Sequence, residues 1–137
     1  KGTMAYVAAV IKTLWEFQAA QFTIELDDQV VVGPSWLTAV ANGQYFGGGM
    51  WVAPNADLQD GYFDVCVLGD LSKFAFLRSF PSVFSGKHLQ HPAIKIYRAR
   101  KVTVSVDRPL PIQTDGDVVA KTPITFSVCP NSLRIFC

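Results

Sequence analysis

Apolar side chains at Met4, Val7, Ala8, Ile11, Leu14 and Trp15 recur at three- and four-residue intervals, the spacing of one helical face, and Thr3 offers a capping hydroxyl ahead of them. The pattern predicts an amphipathic helix over residues 3–17. From Gln21 the period shortens to two and the residues become β-branched or aromatic: Phe22-Thr23-Ile24-Glu25-Leu26, a turn at Asp27-Asp28, then Val30-Val31-Val32. Gly33-Pro34 is expected to break this run, because proline has no backbone donor, and the strand is expected to resume over residues 36–40. Asn42-Gly43, Pro54-Asn55-Ala56-Asp57 and Asp60-Gly61 read as turns, the last leading into an apolar strand over residues 62–68.

A second helix is predicted from Leu71, capped by Asp70 or Ser72, through Phe74, Phe76, Leu77 and Phe80, with Pro81 ending or kinking it. Short strands follow at residues 94–97, 102–106, 112–114 and 124–129, and a closing one at 133–136. Val118 to Ala120 forms a further apolar strand across from Pro111 to Thr114. Many short strands with only two helices argue for a mainly β, antiparallel sandwich or barrel-like domain.

Composition narrows this picture. The 137 residues suit one domain with a real core, and with half of them apolar and 17% charged, disorder is excluded. A mean hydropathy of +0.24 suggests that some apolar surface faces a partner. The longest unbroken apolar stretch, residues 4–11, is far short of the roughly 18 residues that span a bilayer. The chain opens at Lys1 without an initiator Met or a signal peptide, so it is expected to be a piece of something longer. Cys66, Cys129 and Cys137 lack metal-ligand spacing and read as buried thiols in a reducing compartment. The net charge of +1 conceals an asymmetry. Lys73, Arg78, Lys87, Lys95, Arg98, Arg100 and Lys101 fall in a stretch without Asp or Glu, which carries +7 against −6 for the rest. Such polarity suits an anionic partner, whether phosphate, nucleic acid or membrane surface; charges paired with the acidic parts after folding would explain it equally well.

Few motifs carry chemistry by themselves. Phe46-Gly47-Gly48-Gly49-Met50 lacks the Lys-Ser/Thr of a phosphate loop, and its glycines are better explained by a bulge or a close backbone approach. Asp57, Asp60 and Asp64 could offer oxygen ligands to a hard cation, although turn carboxylates are commoner. His88 and His91 stand three apart with no carboxylate near in sequence, a poor metal pair. Asp115-Gly116-Asp117 puts two carboxylates around a turn glycine between apolar strands. One of them could take the proton of an alcohol attacking phosphorus, and an ordinary Asp-Gly turn is the plainer reading.

Taken in order, Val40-Ala41-Asn42-Gly43-Gln44-Tyr45-Phe46-Gly47-Gly48-Gly49-Met50, then Ala53-Pro54-Asn55-Ala56-Asp57-Leu58-Gln59-Asp60-Gly61-Tyr62-Phe63-Asp64-Val65, then Gly86-Lys87-His88 and Gln113-Thr114-Asp115-Gly116-Asp117, the chain resembles the C-terminal domain of bacterial diacylglycerol kinases and YegS-type lipid kinases, a superfamily shared with sphingosine and ceramide kinases. The resemblance spans nearly the whole chain. It implies a β-sandwich over residues 1–137 working with an N-terminal nucleotide-binding domain that carries a Gly-Gly-Asp-Gly-Thr motif and is absent from this chain. The fragment alone is then expected to be inactive.

The implied activity is transfer of the γ-phosphoryl group of ATP to the hydroxyl of a lipid such as diacylglycerol, giving phosphatidic acid for phospholipid synthesis. The family's catalytic carboxylate falls on Asp117, which replaces the usual glutamate and is one methylene shorter. A regulatory magnesium site falls on Asp60 with the main-chain carbonyls of Asp57 and Tyr62. The catalytic Mg2+ would ride on the triphosphate in the missing domain. Implied partners are the lipid, ATP, the N-terminal domain and an anionic membrane surface, but not nucleic acid. The implied setting is cytoplasmic, peripheral at the inner membrane face, with Phe74, Phe76, Phe80 and Phe84 near the lipid. The alternative from another class is a non-catalytic lipid- or membrane-binding regulatory β module.

Overall fold

A computed structural model describes residues 18–132. The predicted helix at 3–17, the closing strand at 133–136 and Cys137 lie outside the described residues.

The described chain is mainly β. Six strands form one antiparallel sheet in the order β4-β3-β2-β1-β5-β8, built from β1 (Ala20–Leu26), β2 (Gln29–Ala41), β3 (Phe63–Gly69), β4 (Ile94–Ala99), β5 (Lys101–Val106) and β8 (Ile124–Ser127). A separate hairpin pairs β6 (Pro111–Thr114) with β7 (Asp117–Lys121). Between β3 and β4 the chain forms one short helix, α1 (Lys73–Ser79), and two 3-10 turns, η1 (Phe80–Ser85) and η2 (Lys87–Gln90).

The two-residue period sorts the side chains. Ala20, Phe22, Ile24 and Leu26 of β1 point to one face, where they meet Val65 and Val67 of β3, Ala99 of β4 and Val102 and Val104 of β5. Register places Ile24 opposite both Val31 and Val104, so the core is a continuous cross-strand stripe. Val30 and Val32, though equally apolar, fall on the other face and are exposed.

Gly33-Pro34 does not break the strand; β2 runs through it for 13 residues. Pro34 pairs with Gln21 of β1, and the ladder with β3 begins only at Ser35, so its missing N–H removes no bond to β3. A bulge between Ser35 and Leu37 follows at once, and the buried Ser35 hydroxyl donates to the carbonyl oxygen of Leu68 at 2.7 Å. The predicted second helix is shorter than expected. Ser72 caps α1 through the N–H of Ala75, and the helix gives way at Phe80-Pro81 to η1. No residue of α1 or η1 is buried, so their phenylalanines do not supply the core. Cys66 is buried, and burial pushes its thiol up to about 11, whereas Cys129 is exposed, against expectation. The strand predicted over 124–129 stops at Ser127, before it.

Candidate functional site

The first two motif segments fold into one loop body between β2 and β3. Gly47, Gly48 and Gly49 all have positive φ and form a reverse turn closed by paired bonds between Phe46 and Met50, of 2.9 and 3.0 Å. Only glycine adopts three such angles in a row cheaply, so the run serves turn geometry and not a bulge in a long strand. Gln44 then acts as a bracket. Its side-chain oxygen accepts from the Trp51 indole and its amide donates to the carbonyl of Ala56, both at 3.2 Å, while Tyr45 stacks on Trp51.

The third motif closes on this body. A Cβ at Gly86 would sit 3.0 Å from Pro54 and 3.1 Å from Trp51, so glycine is required for contact as well as for its φ of 70°. Beside it, His88 is buried and its Nε2 lies 3.1 Å from the carbonyl oxygen of Val52. A carbonyl only accepts, so Nε2 carries the proton and the unpartnered Nδ1 is bare. His91 instead accepts from the N–H of Ala93 through Nδ1, at 3.2 Å.

The acidic turn comes next. Asp57 and Asp60 each accept a backbone N–H two residues ahead, from Gln59 and Tyr62, at 2.8 Å, and Gly61 takes a φ of 73° between them. The second oxygen of Asp60 is paired with Arg98 of β4. Arg98 and Arg100 lie over the Tyr62 ring, 4.8 and 4.7 Å from its centroid. Asp64 is the cross-strand neighbour of Arg98 and is almost fully buried, with Oδ2 lacking a partner. Burial pushes its carboxyl above the ordinary carboxylate range; Arg98 opposes this and Asp60 adds to it.

The last motif is set apart on the β6–β7 hairpin. Asp115 and Gly116, with φ of 49° and 108°, are the two loop residues, and Asp117 opens β7 opposite Thr114. All of β7 is exposed, so Asp117 stands at a solvent-facing tip. Asp57, Asp60 and Tyr62 therefore share one turn, and Asp117 belongs to another element.

Among the described residues no three His, Cys, Asp or Glu side chains are grouped to hold a metal. A hard cation here would need the main-chain oxygens of the 57–62 turn. That donor set, one carboxylate and carbonyls, is chemically suited to magnesium, with Arg98 as the cation already at the carboxylate. The Arg98 pairing, the burial of Asp64 and the His88 bond escaped the sequence reading. The visible signal for Asp64 was a lone carboxylate inside the apolar strand Phe63-Asp64-Val65-Cys66-Val67.

The model of the YegS C-terminal NAD kinase beta sandwich-like domain matches residues 1–137. The chain belongs to this family. A diacylglycerol kinase of Mycobacterium tuberculosis is 31% identical over 136 residues, which cover 98% of this chain and 43% of that protein. A diacylglycerol kinase of Staphylococcus saprophyticus is 26% identical over 137 residues, with 98% and 44% covered. The crystal structure of a diacylglycerol kinase from Bacillus anthracis superposes with a TM-score of 0.70 at 25% identity, over 94% of this chain and 44% of that one. This YegS C-terminal domain thus spans less than half the length of the relatives it matches. Among its described residues no helix is long and apolar enough to cross a membrane.

Proposed function

We propose that this domain is the C-terminal part of an ATP-dependent lipid kinase that phosphorylates the hydroxyl of a diacylglycerol-like lipid, giving phosphatidic acid, at the cytoplasmic face of a membrane. The observation that carries this reading is similarity over 98% of the chain to proteins named diacylglycerol kinase. In the proposed step Asp117 takes the proton of the lipid hydroxyl as its oxygen bonds to the γ-phosphorus. The bond from that phosphorus to the bridging oxygen breaks, and ADP leaves. The exposed hairpin tip supports the role, because a base acting on a substrate shared with a second domain must stand clear of its own fold.

Asp60 with the carbonyls of Asp57 and Tyr62 would hold a regulatory Mg2+, whose charge would stiffen the turn. Arg98 must leave Asp60 for that to happen, so the guanidinium and the ion compete. ATP and its own Mg2+ would be bound mainly by an N-terminal nucleotide domain.

The test uses the full-length parent protein with ATP, magnesium and dispersed diacylglycerol. Phosphate transfer to the lipid is expected, and its complete absence across a panel of hydroxyl-bearing lipids refutes the kinase reading in favour of a non-catalytic lipid-binding module.

A further inference from the structure

The β6–β7 hairpin that carries Asp117 is an arm held at one end. Its strands pair with each other and with no strand of the six-stranded sheet, and of residues 111–121 all but Ile112 are exposed. A two-stranded hairpin with no third strand is marginally stable in water, so its direction is set where it joins the fold.

That junction is built from Leu110 and Thr122. Leu110 packs against the core, and two residues beyond Thr122 the chain enters the same core at Ile124, opposite Val104 of β5. Thr122 donates its N–H to the carbonyl of Leu110 at 2.9 Å, which is half of an ordinary antiparallel pair. The other half comes from the side chain: the Thr122 hydroxyl accepts the N–H of Leu110 at 3.0 Å, where a regular ladder would use the carbonyl. Two opposed bonds fix an orientation, whereas either one alone leaves a pivot.

Length turns the junction into a lever. Asp117 precedes Thr122 by five residues, about 17 Å of strand, so a swing of about 10° at the base carries the tip by about 3 Å. A base must stand within hydrogen-bond reach of the proton it takes, and a displacement of about 1 Å costs on the order of 100-fold in rate.

We propose that Thr122 is a positioning residue for phosphoryl transfer, its hydroxyl locking the hairpin to Leu110 and thereby aiming Asp117 at the acceptor hydroxyl. This role rests on Asp117 as the base, because Thr122 acts only through the strand between them.

The test uses the full-length parent with ATP, magnesium and dispersed diacylglycerol. Thr122→Val keeps the shape and removes the hydroxyl; kcat is expected to fall at least about tenfold, with KM for lipid and ATP within about twofold of wild type, and Thr122→Ser is expected to restore most of the loss. Thr103→Val removes another interstrand hydroxyl contact, to Thr125 of β8 at 3.0 Å, and is expected to leave kcat unchanged. Hydrogen exchange reads the junction without catalysis: in Thr122→Val the paired amides of β6 and β7 are expected to exchange at least about threefold faster, and those of β1 at the wild-type rate. Wild-type kcat in Thr122→Val beside an inactive Asp117→Asn overturns the role of Thr122 and leaves the base standing. A fully active Asp117→Asn overturns the base, and the role of Thr122 falls with it. A loss of kcat shared by Thr103→Val, or faster exchange that extends to β1, marks general destabilisation and overturns the role as well.

Discussion

Nε2 of His88 donates to the carbonyl oxygen of Val52 across 3.1 Å, and this bond ties the Gly86-Lys87-His88 turn to the loop body between β2 and β3. Burial holds the imidazole below its ordinary value of 6.5, an effect that the bond to Val52 only partly opposes. His88→Ala leaves a carbonyl without its donor and is expected to cost about 2 kcal/mol in urea denaturation. The unfolded imidazole takes a proton near pH 6.5, whereas the folded one resists until a lower pH. Between those two values the unfolded chain binds more protons, so stability falls on acidification. Urea titrations repeated from pH 7 downward should show that loss in wild type and a smaller one in His88→Gln; identical profiles would remove His88 as its source.

Asp27 makes a second long-range tie. Its two carboxylate oxygens accept the N–H groups of Arg100 and Lys101, at 2.8 and 2.9 Å, joining the β1–β2 turn to the β4–β5 turn. Those two backbone bonds, ahead of the Arg100 charge, hold its carboxyl below the ordinary 3.8. Asparagine tolerates the φ of 41° found here, and because its amide nitrogen cannot accept, Asp27→Asn removes the charge and one of the two backbone bonds. The variant is expected to melt lower than wild type at neutral pH. The difference should persist down to pH 3.8 and vanish as pH falls through the lowered folded value, where wild type is protonated too. A difference that survives to the lowest pH would point to geometry, not charge.

These ties mark the boundary of what the sequence could show. The β1 alternation, the capped start of α1 and the Asp115-Gly116 turn are local, and the structure contains all three. The break expected at Gly33-Pro34 failed because proline is tolerated wherever its position escapes one ladder, which depends on where β3 begins pairing. Asp60 and Arg98 are 38 residues apart and meet only because β3 and β4 are neighbours. A pairing of that kind is a product of topology, and no local pattern announces it. Phe74 is left exposed, and hydrophobicity alone does not say which side of a short helix the sheet will cover.

For the base, the side-chain length at position 117 is the variable. Asp117→Asn keeps the shape and removes the proton acceptor, and lipid phosphorylation by the full-length parent is expected to fall at least about 100-fold in kcat. Asp117→Glu restores the longer reach of the related Asp-Gly-Glu motif and is expected to retain transfer. Should Asp117→Asn match wild type in the phosphate-transfer assay, the proton must go elsewhere.

The competition at Asp60 can be read without catalysis. An ion that binds the folded chain raises its melting temperature by mass action, so a magnesium titration followed by thermal denaturation reports the proposed site directly. Asp60→Ala is expected to abolish the magnesium-dependent rise. Arg98→Gln, which removes the resident guanidinium, should shift its midpoint to lower magnesium. Asp64→Asn should move it the other way, because the displaced guanidinium then lacks the buried cross-strand carboxylate whose Oδ2 is unpartnered in the ion-pair geometry. Opposite shifts in two variants on adjacent strands would distinguish exchange of one cation for another from a general change in stability, which moves every titration alike. If Asp60→Ala responds to magnesium as wild type does, the site lies elsewhere and Asp60 serves only to hold Arg98 against Tyr62.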